Sequence, residues 1–209
     1  MSAIVAIQQV FPKSTIRGCY FLYTQCIWRK VQELGLVIPF RNNAEVHRMV
    51  RRLCALPLCP LQQLNNAWTE IMAEVPREVP FVENLLDYFL FTWFHETQAL
   101  FRRDIWNHHD GDGIRTNNHL EGWHLGFNQS IGTIHPNIFK FVTALKKEQG
   151  KVEGIITLLE AGNEPPKRKL KYRSLEEKHT RLERQYRLGE RNLLSYLTAV
   201  GYLIRAGDM

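Results

Sequence analysis

Cysteine is scarce in this chain, four in 209 residues, and the four are not spaced as a metal or disulfide framework. Six residues separate Cys19 from Cys26 and four separate Cys54 from Cys59, with no second Cys or His pair at zinc-knuckle spacing, so buried free thiols are the expectation. Long apolar runs are also missing. The greasiest stretch, residues 85–94, contains Asp87 and is closed by His95 and Glu96, short of the roughly 18 apolar residues a spanning helix needs, which excludes a membrane partner. The N-terminus lacks a basic region, an apolar core and a small-residue cleavage site, so the chain is expected inside the cell. What is present, 44% hydrophobic, 23% charged and 11% aromatic residues, is the balance of one folded domain or two small ones and excludes gross disorder, collagen and a coiled-coil rod.

Acidic residues are in the minority, 21 against 27 Lys and Arg, and the excess is local. Residues 167–205 hold eleven cations (Lys167, Arg168, Lys169, Lys171, Arg173, Lys178, Arg181, Arg184, Arg187, Arg191 and Arg205) against Glu176, Glu177, Glu183 and Glu190. The rest of the chain is close to neutral. A basic segment attached to a neutral body, starting at the Pro165-Pro166 break, is the electrostatic footprint of a polyanion partner, above all DNA. A solvated helix laced with Glu177–Arg181 and Glu183–Arg187 pairs accounts for the same feature.

Periodicity makes the class mainly helical. Ala3, Ile4, Ala6, Ile7, Val10 and Phe11 predict a first helix with a buried face, stopped by Pro12. Residues 15–23 are continuously apolar and β-prone and read as one short buried strand. Ile27, Val31 and Leu34 form a helical stripe closed by Gly35. Asn42 or Asn43 caps the next helix, with Val46, Val50 and Leu53 inside and Arg48, Arg51 and Arg52 outside. Leu64, Trp68, Ile71 and Val75 predict another, and Val82, Leu85, Leu86, Phe89 and Trp93 a greasier one. Ile138 to Leu145 forms a helix with Pro136 in its first turn, residues 152–159 a separate one, and the basic C-terminal segment repeats apolar residues from Leu182 to Ile204. The lone strand needs partners for its N–H and C=O groups, and no second strand is convincing.

The stretch Arg115-Thr116-Asn117-Asn118-His119-Leu120-Glu121-Gly122-Trp123-His124 carries the most chemistry. Leu120, Trp123, Phe127 and Ile131 predict a buried helical face, and Asn117, Glu121, His124 and Asn128 a polar line beside it. Carboxylate, imidazole and amide in such a line suit the rim of a cleft that binds a hard cation or a phosphate. Capping asparagines with a merely solvated Glu121 and His124 also explain the line.

With Gly18-Cys19-Tyr20-Phe21-Leu22-Tyr23-Thr24-Gln25, Trp28 to Gln32, Asp87-Tyr88, Thr92-Trp93, Ile105-Trp106-Asn107, Phe127-Asn128 and His135-Pro136-Asn137, this stretch resembles the C-terminal half of Mutator-like element (MULE) transposases, collinearly from about Ala3 to Leu145. The resemblance implies an RNase H-like DDE core, here its C-terminal part with a helical insertion, in which two Asp and one Glu hold two divalent ions, usually Mg²⁺, for attack on DNA phosphodiesters. It places the Glu at Glu121, as catalytic acid and metal ligand, and both Asp residues upstream of Met1. Residues 15–23 would then be the last of five strands. Of the family's Cys-x-x-His motif Cys19 remains, but Leu22 stands where the His belongs. Asp87, Asp104, Asp110 and Asp112 are not expected to replace the missing acids.

The implied organisation is a residual helix-strand-helix over 1–35, a helical insertion over 36–114, the Glu121 helix and its successors over 115–163, and a basic segment over 164–209. The implied product is a nuclear, transposase-derived fragment that binds DNA through Lys167, Arg168, Lys169, Lys171, Arg173, Arg181 and Arg184, with no Mg²⁺ of its own and no catalysis alone. Two alternatives stand beside it: a helical module pairing with a full-length transposase or with itself, and an incomplete product of an active transposase gene.

Overall fold

The computed structural model describes residues 2–109, 111, 118–164 and 170–204, with the side chains of 2, 3, 118–121 and 170–173 left undescribed. The fold is mainly α, and the described residues contain no strand. They form two compact units, one from residues 1–115 and 174–209, the other from residues 116–173.

The first unit is organised by α2 (Tyr20–Glu33) and α4 (Ala44–Ala55). The predicted strand is a correction: its second half is the start of α2, in which Tyr20, Tyr23, Thr24, Ile27, Trp28 and Val31 recur at helical spacing and are all buried. A short apolar run has no period of its own, and here the next turn decided the geometry. Gly35 at φ +69 ends α2 and lets α3 (Val37–Asn42) begin. Asn43 then caps α4, its Oδ1 accepting from Glu45 N at 2.8 Å and Val46 N at 3.0 Å.

Pro57 and Pro60 break the chain after α4 because neither supplies an N–H, and side chains from remote elements satisfy the carbonyls around the break. Tyr23 Oη donates to Leu53 O (2.8 Å), Tyr20 Oη to Cys54 O (2.9 Å) and Tyr196 Oη to Leu58 O (3.0 Å). Asn107 Nδ2 donates to Cys59 O (2.8 Å) and His108 N to Pro57 O (2.6 Å). This segment is thus the buried hub of the unit, with Leu56, Leu58 and Cys59 fully enclosed. Burial pushes the Cys54 and Cys59 thiols up to about 12, so both stay neutral and inert.

Around the hub pack α5 (Leu64–Ala73), α6 (Val82–Phe89) with a π-turn over Leu90–Phe94, the short α7 (Arg103–Trp106) and α11 (Leu193–Leu203). The π-turn is marked by His95 N reaching Leu90 O at 2.8 Å, and it aims Trp93 and Phe94 inward. The single C-terminal repeat predicted from Leu182 to Ile204 is two helices, α10 (Leu170–Arg187) and α11, separated by Gly189 at φ +73 and restarted by the Asn192 cap. The helix α1 (Ser2–Val10) forms as expected, but its predicted face is not buried: Ile7, Val10 and Phe11 are exposed.

In the second unit α8 (Asn118–Ile131) packs on α9 (Ile138–Glu160) through Phe127, Ile131 and Phe141. The two helices predicted over 138–145 and 152–159 are one. Gly150 does not break it, since Lys151–Glu148 (2.7 Å) and Gln149–Glu153 (2.8 Å) side-chain pairs bridge that turn. Asn137 is the cap, accepting from Lys140 N at 2.8 Å, so Pro136 precedes the helix instead of entering it.

Candidate nucleic-acid interface

The 58 residues of the second unit hold nine cations, Lys140, Lys146, Lys147, Lys151, Lys167, Arg168, Lys169, Lys171 and Arg173, against five carboxylates. That is +4 of the net +6, on the smaller unit. Of the predicted basic site, Lys167, Arg168 and Lys169 lie outside the described residues, and Lys171 and Arg173 are on α10 with undescribed side chains. Arg181 and Arg184 are exposed on α10. They face outward because His179, Leu182 and Tyr186 take the inward positions, with Tyr186 stacked on Tyr196 at 5.1 Å. Of the two anticipated Glu–Arg pairs, Arg187–Glu183 is present at 2.5 Å.

Arg115, Thr116 and Asn117 lie outside the described residues, and of Glu121 and Asn118 the structure describes the position on α8 and not the side chain. His124 and Asn128 are exposed, one and two turns beyond Glu121. Trp123 departs from the expected buried face: it is 37% exposed, stacked on Phe127 at 5.1 Å and 7° with the His124 ring against its edge. A face with room for Phe127 and Ile131 does not extend to an indole one turn earlier.

The donor set does not fit a two-metal centre. His124 and Asn128 offer an imidazole and an amide, Glu121 is the one carboxylate on that line, and no group of three or more His, Cys, Asp or Glu that could hold a metal occurs among the described residues. Asp87 is exposed on α6 and Asp104 is tied to Arg102, both in the first unit; Asp110 and Asp112 lie outside the described residues. Cys19 is half-buried at the N-cap of α2 and belongs to no such group among the described residues.

Sequence reasoning missed one charged cluster. Arg52, placed on the solvent face, is 6% exposed, with Nη1 on Glu74 at 2.7 Å and Nε on Thr198 Oγ1 at 2.8 Å. The residue four positions from Arg48 turns inward because α11 lies over that side of α4. The cluster borders an open cleft of about 500 Å³ lined by Glu45, Arg48, Arg52, Glu74 and Glu78. Three carboxylates against two guanidiniums give it no preference for phosphate. Its consequence is for stability. The Arg52 hydrogen bond, more than Coulomb attraction, holds the Glu74 carboxyl below its ordinary value of 4.5. A lowered folded value stabilises above the unfolded value and is lost as pH falls through the folded one. Urea stability measured below pH 5 should therefore drop, and Glu74→Gln should flatten that acid limb; an unchanged limb would remove Glu74 from the linkage.

Compared with known families, characterised proteins and solved structures, the chain finds no match. No helix of the described residues is long and apolar enough to cross a membrane.

Proposed function

We propose that the chain is a DNA-binding portion of a MULE-type transposase, in which the second unit and the basic start of α10 make the contact with DNA. The observation that carries this reading is the concentration of net positive charge in residues 116–173, running into the exposed Arg181 and Arg184. Lys and Arg neutralise backbone phosphates and release counterions, which yields affinity without sequence preference. Exposed Trp123 beside His124 adds an aromatic face on which an unpaired base can stack. In this reading Glu121 is the third acid of an RNase H-like DDE centre, the chain acts in the nucleus, and it contributes one of the three acids a Mg²⁺-dependent step requires. No metal-dependent step is assigned to the residues present.

Fluorescence anisotropy on a short duplex tests it. Affinity should fall steeply with salt, by about three orders of magnitude between low and physiological ionic strength if six or more phosphates are contacted. The quadruple variant Lys167→Glu, Arg168→Glu, Lys169→Glu, Lys171→Glu should reduce binding at least about 100-fold and flatten the salt slope by roughly 3–4. Salt-insensitive binding, or a quadruple variant that binds like the parent, would reject the proposal.

A further inference from the structure

Within its unit, α9 buries none of its 23 residues completely. Its contact with α8 runs through Phe141, with Ala144 and Glu148 half-buried on the same side. Next to that side lies a second row: Ile138, Val142, Leu145, Gln149, Val152, Ile156 and Leu159. Its six apolar members are each between 39% and 65% exposed. Their spacing alternates four and three, so the row repeats every seven residues over three heptads. A straight helix that packs on an irregular surface has no reason to keep a strict seven-residue period; a seam that supercoils with another helix does. One heptad position carries Val142, Gln149 and Ile156 and the other Ile138, Leu145, Val152 and Leu159, so the central Gln149 is the single polar member, and a lone polar residue in the seam sets register in a coiled coil.

We infer that α9 is a self-association surface, on which the α9 of a second copy of this chain lies antiparallel. Charge decides both partner and direction. Lys146 and Glu153 flank the seam on one side and Glu148 on the other. Parallel pairing would set Glu148 of each copy against Glu153 of the other and create two repulsions. Antiparallel pairing sets Lys146 against Glu153 of the second copy twice. The same register stacks Val142 on Leu159, Leu145 on Ile156 and Gln149 on Val152, each pair made twice by the two-fold axis, so one surface is complementary to itself. At about 1.5 Å per residue, α9 offers some 34 Å of contact length. This inference rests on the seam and its flanking charges and is independent of the transposase reading.

Sedimentation equilibrium of the full chain measures it, without DNA. The parent chain should reach a dimer with a micromolar dissociation constant. Val152→Asp, at an exposed position that leaves the monomer's own packing intact, should keep the circular dichroism spectrum and abolish the dimer. Glu153→Lys should weaken the dimer about tenfold by facing Lys146, and Lys146→Glu with Glu153→Lys should restore it to within about threefold. A parent chain that stays monomeric through the high micromolar range overturns the inference, including the case in which the chain's own first unit covers the seam. Tightening by Glu153→Lys overturns it as well, because that result belongs to the parallel pair.

Discussion

Gly201→Val should cost about 3 kcal/mol of folding stability, lowering the melting temperature by roughly 6–12 °C. A Cβ on Gly201 would lie 2.7 Å from Arg51 O and 2.9 Å from its carbonyl carbon. Those are backbone atoms of α4, so relief requires α4 and α11 to move apart, and this is the most extensive helix pairing in the first unit. Separation would also strain the Arg51 latch, in which Nη1 donates to Gly201 O (3.3 Å) and Ile204 O (2.9 Å) while the guanidinium lies over the Tyr202 ring. Gly150 and Gly154 supply the control. Both sit in α9 with nothing within 4 Å of a new Cβ, so Gly150→Ala and Gly154→Ala should each raise stability of that helix by about 0.5–1 kcal/mol. Urea unfolding compares the three. A Gly201→Val chain as stable as the parent would mean that α4 and α11 do not meet at that distance.

Trp106→Ala should cost about 3–5 kcal/mol. The indole is 2% exposed, lies 5.5 Å from the Tyr23 ring at 19°, and donates Nε1–H to Trp93 O at 2.8 Å. It therefore joins three elements, α2, the π-turn and α7, beside the carbonyls that Tyr20, Tyr23 and Asn107 satisfy. Trp106→Phe should fall between, retaining much of the packing but leaving Trp93 O without that donor. Chemical denaturation gives the ranking, and a loss below about 1 kcal/mol for the alanine variant would contradict a close-packed site at Trp106.

The helices legible in the sequence are those whose stop and start signals are chemical. Asn43 and Asn192 cap because an amide oxygen reaches the free N–H groups, and Gly35 ends α2 because it accepts positive φ. The readings that failed depended on neighbours. Residues 15–23 were β-prone, yet Tyr20 and Tyr23 point their hydroxyls at the carbonyls freed by Pro57, a demand set 30 or more residues away. Residues 138–159 looked like two helices because Gly150 weakens the pattern, and splitting them hid the heptad row that only a continuous helix displays. Of the candidate site, the basic run and the polar line were visible as charge and spacing. The inward turn of Arg52 and the outward position of Trp123 were not, since each depends on what packs beside it.

By itself the sequence determined the mainly helical class, most caps and breaks, and the uneven distribution of positive charge. Those follow from local backbone chemistry and from the count of ionisable side chains. The tertiary structure alone decided which faces are covered. Leu53 and Val142 are both apolar residues at helical spacing, but α4 is enclosed by other helices of its unit and its leucine is sealed, whereas within the second unit α8 leaves the seam of α9 uncovered and its valine is 39% exposed. Burial belongs to a pair of surfaces, and a sequence specifies only one of them at a time.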